Sequence, residues 1–353
     1  MNKPILTIGL LVSNRIDTIE KCLNSLKPLL EELPAELIVA DTVGPEKTDG
    51  SLYIAEKFTD KVTHFEWCND FSAARNATLL PAKGEWFMFL DDDEWFEDVT
   101  EIIDFFKSGE YKNYNSATYI IRNYTDFEGT GYGDSSILRM IKRTPSLKFE
   151  GNIHEHFNKV YRPCKRFECF VHHYGYVYTS EEQKKAHSER NMSLLQKEIE
   201  KNPMDLRLHT QMALELANFD NVNAIKYVQS ALQLFSSEAS EPCYQWLTVL
   251  QFRLYEALGF SVEFAEKTYN SLVQKSALNE TALCAANYCM MRICLIKDDK
   301  NTAFSHGMKY MELINLLNSN PKKKADQDYA DFARYISEDA IRTINEYLLM
   351  CQL

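Results

Sequence analysis

The chain opens on a nearly unbroken apolar run, Ile5–Val12, the pattern of a strand buried on both faces. From Asp17 to Leu30 the apolar positions become Ile19, Cys22, Leu23, Leu26, Leu29 and Leu30, which is a helical period. Leu37–Ala40 reads as a second buried strand ending at Asp41. The turn Thr48-Asp49-Gly50 leads into a helix over Ser51–Phe58. Lys61–Trp67 is a third strand, Asp70–Leu80 an alanine-rich helix, and Trp86–Leu90 a fourth strand running into Asp91-Asp92-Asp93-Glu94. Strand–helix–strand crossings repeated in this way predict a mainly parallel sheet between helices. Such sheets bind ligands beyond the carboxyl ends of their strands. Asn14, Asp41, Asn69 with Asp70, and Asp91–Glu94 all fall at those ends.

Between Ser116 and Tyr178 the apolar runs shorten to Ala117–Arg122, Ile137–Lys142 and Phe167–Val171. The loop Gly129–Gly133 and the stretch Phe149–His156 separate them. Beyond Ser180 the period is helical throughout. Glu181–Lys201 is one helix, stopped by Pro203. Three amphipathic helices follow, Leu206–Ala217, Cys243–Leu258 and Thr281–Leu295, each leading into a second helix near Ala224, Ala265 and Ala303. Helix pairs recurring about every 40 residues predict a short α-solenoid, because no single pair can bury its apolar face. Asp326–Leu349 reads as a capping helix and Lys322-Lys323-Lys324 as a solvated turn.

Composition narrows the function. With 353 residues the chain is long enough for two domains, divided here into an α/β half over residues 1–200 and an all-α half over 201–353. A formal charge of −12 repels a phosphate backbone, so nucleic acid is not an expected partner. No apolar stretch approaches the roughly 20 residues of a membrane-spanning helix, and Met1-Asn2-Lys3-Pro4 has no signal-peptide profile. A cytoplasmic location is the resulting expectation. The nine cysteines are odd in number, and Cys284, Cys289 and Cys294 fall within one helix, where buried thiols are expected rather than a disulfide scaffold.

The strongest chemical signal is Asp91-Asp92-Asp93-Glu94 after an apolar strand. On an extended chain Asp91 and Asp93 point to one side and present hard oxygen ligands suited to Mg²⁺ or Mn²⁺. The alternative is a helix first turn, which favours acids but does not require four in a row. His154, His156, His172 and His173 cluster downstream. With Cys164 and Cys169 they could form a zinc site, although the cysteine spacing is wider than usual. No glycine-rich phosphate loop and no nucleophile elbow occurs, so dinucleotide enzymes, P-loop ATPases and serine hydrolases are excluded. Cys68 sits near the strand ends without a nucleophile motif.

Taken in order, Asn14, Asp41-Thr42, Thr48-Asp49-Gly50-Ser51, Asn69-Asp70-Phe71-Ser72-Ala73-Ala74-Arg75-Asn76 and Phe89-Leu90-Asp91-Asp92-Asp93-Glu94 resemble glycosyltransferase family 2. His154-Glu155 and His172-His173-Tyr174-Gly175-Tyr176 resemble a bacterial branch of it with C-terminal tetratricopeptide-like repeats, the neighbourhood of bacteriocin peptide S-glycosyltransferases. The resemblance is strong over residues 1–200 and architectural beyond. It implies an inverting enzyme with a GT-A, Rossmann-like catalytic domain and a helical-repeat domain behind it. It also implies a nucleotide-sugar donor, UDP-linked, and a peptide cysteine or serine or a glycan as acceptor. Asp41 and Arg75 would meet the nucleobase, Asp70 the uridine, Asp91 the ribose or the metal, and Asp93 the metal directly; Asn14 and Asp92 would complete the donor site. Glu155 is the expected general base, and His154 or His173 is expected to touch the metal or the diphosphate. Arg139, with Arg190 or Lys184, would supply a second positive charge. Two departures from the family pattern stand out: Val43–Lys47 lengthens the loop after Asp41, and Arg15 follows Asn14 where Glu is usual. The helical repeats could also pair two copies of the chain. Competing readings are a non-catalytic peptide-binding repeat protein with a nucleotide-sugar-binding front domain, and a nucleotidyltransferase.

Overall fold

A computed structural model describes residues 3–159, 161–175, 177–178, 180–275, 278–319 and 332–352. The chain forms two compact units, Met1–Lys184 and Lys185–Leu353. Tyr176, the Lys322–Lys324 turn and the first residues of the expected capping helix, 326–331, lie outside the described residues.

The first unit alternates as the apolar pattern predicts. Its elements begin with β1 (Leu6–Val12), α1 (Ile16–Glu32), β2 (Ala35–Asp41), α2 (Ser51–Ala55), β3 (Val62–His64), α3 (Phe71–Leu79) and β4 (Trp86–Asp91). They continue with β5 (Glu94–Phe96), α4 (Thr100–Lys107), β6 (Ser116–Tyr124), β7 (Tyr132–Lys142), β8 (Phe149–Glu150), β9 (His156–Phe157) and β10 (Cys164–His173). An eight-stranded sheet runs β3-β2-β1-β4-β7-β6-β10-β5, and β8 pairs with β9 apart from it. Strand β1 is parallel to β2 and β4, β2 to β3, and β6 to β10, whereas β7 and β5 run antiparallel to their neighbours. The carboxyl ends of β1, β2, β3, β4, β6 and β10 therefore share one edge.

Both faces of the central strands are covered. Leu6, Ile8, Leu10 and Val12 pack with Ile19, Cys22, Leu23, Leu26 and Leu29 of α1, all fully buried. Each such side chain contributes about 1.5–3 kcal/mol of burial. On the opposite face Gly9 lets α3 come close. A Cβ there would sit 2.5 Å from Thr78 Oγ1 and 2.6 Å from the Phe87 ring.

Several expectations change: the helix expected over Ser51–Phe58 ends at Ala55, and the strand expected over Lys61–Trp67 shortens to Val62–His64. Glu94–Phe96 and Thr100–Lys107 form a strand and a helix that the acidic run concealed. Strand β7 begins at Tyr132, because Gly133, Asp134 and Ser135 pair with Asn123, Arg122 and Ile121 across the ladder rather than forming a loop. Among the described residues the tail holds two helices rather than one, since Ser337 adopts extended backbone between them.

The second unit is all-helical: α5 (Glu181–Lys201, in which the division falls), α6 (Leu206–Ala217), α7 (Asn221–Leu234), α8 (Pro242–Ala257), α9 (Val262–Gln274), α10 (Glu280–Ile296), α11 (Lys300–Asn318), α12 (Ala333–Ile336) and α13 (Glu338–Gln352). Local chemistry sets the starts. Asp205, Asp220, Ser261, Asn279 and Asp299 each accept a backbone N–H of the following turn, a cap contributing about 1 kcal/mol. Helices α6 with α7 and α10 with α11 pack as pairs, while α9 packs on α10 and meets α8 through Tyr255 and Phe264. Cys284, Cys289 and Cys294 are buried free thiols in that core.

Candidate functional site

The acidic run is a turn rather than an extended strand. Strand β4 ends at Asp91, the chain reverses through Asp92 and Asp93, and β5 starts at Glu94. The four side chains consequently find different partners. Asp91 Oδ1 accepts from Arg75 Nη2, and its Oδ2 lies 3.3 Å from Arg139 Nη1. Asp92 is buried, its Oδ2 accepting from the Ser13 amide at 2.6 Å and the Ser13 hydroxyl at 2.9 Å. Thr18 Oγ1 donates to the Asp92 carbonyl at 2.9 Å. Glu94, 1% exposed, accepts from Arg139 Nη2 at 2.7 Å and from the Asp91 amide at 3.1 Å. Asp93 alone keeps its carboxylate out of a hydrogen-bonded cradle: Oδ2 is 3.4 Å from Arg15 Nη2 and Oδ1 is 3.9 Å from His173 Nε2.

These settings separate the acids electrically. Burial would raise Asp91, but the Arg75 and Arg139 guanidinium groups hold it well below the usual carboxylate range. Burial and the neighbouring Asp93 charge push Asp92 up to about 7, against the pull of the two Ser13 donors. Burial raises Glu94 as well, helped by Asp91 and Asp93 and opposed by the Arg139 charge.

Two buried arginines organise the centre. Arg75, 3% exposed, donates Nε to Glu155 Oε1 at 3.0 Å, Nη1 to the Leu90 carbonyl at 3.1 Å and Nη2 to Asp91. Arg139 joins Asp91 to Glu94. Both guanidinium groups lie against the Phe89 ring, at 4.6 and 4.5 Å. Glu155 comes from the loop between β8 and β9, where Gly151 (φ 94°) and His154 (φ 50°) take left-handed backbone. A histidine in that region costs on the order of 1–3 kcal/mol and persists only where its surroundings enforce it. Asn69 (φ 61°) does the same directly before Asp70.

His173 closes the group from the end of β10. Asn123 Nδ2 donates to the Ile121 and Gly133 carbonyls, which fixes its amide so that Oδ1 accepts from His173 Nδ1 at 2.7 Å. Burial lowers the His173 pKa against the pull of the Asp93 and Asp91 charges, and its Nε2 lies 3.9 Å from Asp93 Oδ1. An imidazole and a carboxylate at this spacing are a ligand pair that a divalent cation would bridge. The described residues offer no closed cage of three or more such ligands, but Mg²⁺ usually takes one or two protein groups and leaves the rest to water and phosphate.

The remaining expected residues hold the rim. Asp41 accepts from the Val43 and Gly44 amides and lies 3.1 Å from His64 Nδ1. Asn14 bridges loops, donating to the Lys47 carbonyl and accepting from the Asp49 amide. Asp70 caps α3 by accepting from Ala73 N and Ser72 Oγ. Asp41 and Arg75, expected at a nucleobase, are both buried with their polar atoms engaged inside the protein. Arg190 donates to Asn191. Cys68 is an exposed free thiol, and Cys164 and Cys169 are free on β10. His172 points away from His173 and bonds Tyr124 and Glu97, both at 2.7 Å. Sequence reasoning missed Ser13, Thr18 and Asn123; Ser13 and Asn123 lie at or just beyond strand ends, the signal that points to them, whereas Thr18 sits in the first turn of α1 and carries no such signal.

The model of glycosyl transferase family 2 matches residues 7–163. Over 243 residues the chain is 28% identical to the SPbeta prophage-derived glycosyltransferase SunS of Bacillus subtilis, an alignment covering 65% of this chain and 53% of SunS. A TPR repeat-containing protein of Synechococcus elongatus is 30% identical over 149 residues, 42% of this chain and 34% of that protein. The chain thus spans about half the length of SunS and a third of the other. Among solved structures, S. aureus TarS 1–349 in complex with UDP-GlcNAc is 16% identical, covering 87% of this chain and 91% of that one with a TM-score of 0.37. Residues 7–163, which match the glycosyl transferase family 2 model, all lie within the first unit.

Proposed function

We propose that the protein is an inverting glycosyltransferase that moves a sugar from a UDP-sugar to a nucleophile on a peptide or glycan. The observation that carries this reading is the convergence of Asp93, His173 and Glu155 on one sheet edge, with Arg75 joining Glu155 to the acidic turn. A Mg²⁺ or Mn²⁺ ion held by Asp93 and His173 would neutralise charge growing on the departing diphosphate. Glu155 takes the proton from the acceptor while the acceptor atom attacks the anomeric carbon and the sugar–phosphate bond breaks. Arg75 orients Glu155 through its Nε, so the base stands in one place before the acceptor arrives. Ser13 and Thr18 lock the Asp92 end of the turn, which fixes where Asp93 points. Asn14, Asp41 and Asp70 shape the donor rim by ordering three loops. Arg139 adds positive charge beneath Asp91. In the same reading, residues 1–200 make the catalytic part and residues 201–353 a tetratricopeptide-like part that presents the acceptor.

The test is a panel of nucleotide sugars with and without Mn²⁺, following binding by calorimetry and release of nucleoside diphosphate. Asp93→Asn should remove cation-dependent donor binding and turnover. Glu155→Gln should keep donor binding and lose turnover by about 10²–10⁴-fold, the usual scale of a general base. Turnover unchanged in both variants would refute the assignment.

A further inference from the structure

Arg15 stands where glutamate is usual in the resembling family, and the roles assigned above leave it unused. Its backbone is pinned, the amide donating to Ser51 Oγ at 3.0 Å and to the Ser13 carbonyl at 3.2 Å. Its side chain is 52% exposed, and Nη2 reaches Asp93 Oδ2 at 3.4 Å without a hydrogen bond. The Asp93 carboxylate is thereby divided, with Oδ2 toward Arg15 and Oδ1 toward His173.

We propose that Arg15 is an internal counter-ion that offsets the Asp93 charge from the Oδ2 side, in competition with a cation held between Oδ1 and His173, until a diphosphate draws it away. The inference rests on Asp93 being the cation's ligand. A cation settling between Asp93 Oδ1 and His173 meets a carboxylate whose charge the guanidinium on Oδ2 already offsets, and the two positive charges repel. A diphosphate offers the guanidinium a better, doubly charged partner, since arginine matches phosphate oxygens with two donors at once. Once Arg15 turns to the diphosphate, the full Asp93 charge is left to the metal. The exposed, loosely paired side chain and its rigid backbone anchor suit such a swing, since little has to move except the side-chain torsions. Cation and nucleotide are then linked beyond their direct contact, and linkage of this kind is reciprocal. An enzyme so built holds little metal at rest and gains it together with the donor. Lysine at this position keeps the charge but not the fork; glutamine keeps neither.

The experiment titrates Mn²⁺ into the full chain, reading free Mn²⁺ by electron paramagnetic resonance with and without UDP, for wild type, Arg15→Gln, Arg15→Lys and Asp93→Asn. Thermal melts serve as a check on folding. Without UDP, Arg15→Gln should bind Mn²⁺ about three- to tenfold tighter than wild type, the scale of one half-exposed ion pair. Arg15→Lys should stay near wild type, and the tightening that UDP confers on wild type should shrink in Arg15→Gln by a similar factor. Arg15→Gln binding Mn²⁺ no tighter than wild type, with Asp93→Asn having lost the site, overturns the counter-ion role and leaves Asp93 as the ligand. Mn²⁺ binding that survives Asp93→Asn unchanged overturns the cation assignment and the counter-ion role with it.

Discussion

Replacing Arg75 with methionine keeps most of the volume and removes the charge that joins Asp91 to Glu155. At 3.0 Å and an effective dielectric near 20, the Arg75–Glu155 attraction is about 5 kcal/mol before desolvation is subtracted. Breaking a buried pair by removing one partner costs about 3–5 kcal/mol, because the other charge is left behind. Asp91 is one-third exposed and keeps Arg139, so the lower end, about 3 kcal/mol, is expected for Arg75→Met. Glu155→Gln should cost less alone, and the pair should be non-additive: in the Glu155→Gln background, Arg75→Met should lose about 2 kcal/mol less than in wild type. Urea unfolding followed by tryptophan fluorescence measures this. Trp67, Trp86 and Trp95 lie in the first unit, so a Trp246→Phe background confines the signal to it. Strict additivity of the two substitutions would show that the Arg75–Glu155 contact carries no energy and that Arg75 does not position the base.

Asp92 gives a pH signature. Its folded pKa, about 7, lies above the unfolded value, so its contribution is full below about pH 4 and is lost as pH rises through 7. Without added metal the first unit should lose at most about 4 kcal/mol across that window. Asp92→Asn should flatten the curve, measured by urea midpoints from pH 4 to 8. In the second unit, buried His306 meets Asn287 Oδ1 through Nδ1 at 2.8 Å and Glu266 through Nε2. His306→Leu removes both contacts and should cost about 2 kcal/mol, read from Trp246 fluorescence, with His306→Gln milder. Gly9→Ala should destabilise the first unit by about 1–3 kcal/mol, because its methyl overlaps Thr78 and Phe87, and the same urea series tests it.

The elements that local pattern revealed are those whose apolar residues share one period: α1, α5, α6 and the strands β1, β2 and β4. Strand β5 stayed hidden because three residues carry no period and Glu94, an acid, is buried only by virtue of Arg139, far away in sequence. The amino end of β7 was concealed by Gly133, Asp134 and two serines, which behave as a loop unless a partner strand supplies their hydrogen bonds. At the site, strand-end positions pointed to Asp41, Asp70 and Asp91–Glu94 before any coordinates. What each carboxylate does could not be read the same way. Asp91 and Asp93 differ because one faces two arginines and the other faces His173 and Arg15, and none of those partners is adjacent in the chain.

That separation has a kinetic side. Ser13 and Asp92 are 79 positions apart, Arg75 and Glu155 80, and Arg139 and Asp91 48. Contacts of such long range form late, after the entropy of closing the intervening loops has been met. Strand β1 finds β4 across an equally long stretch, Leu6 pairing with Trp86, so the central sheet and the acidic edge close at the same stage. Competence to bind a ligand at this edge is therefore tied to completion of the sheet, and a chain ending before Glu155, which also lacks β10 and leaves β5 unpaired, should display no working edge.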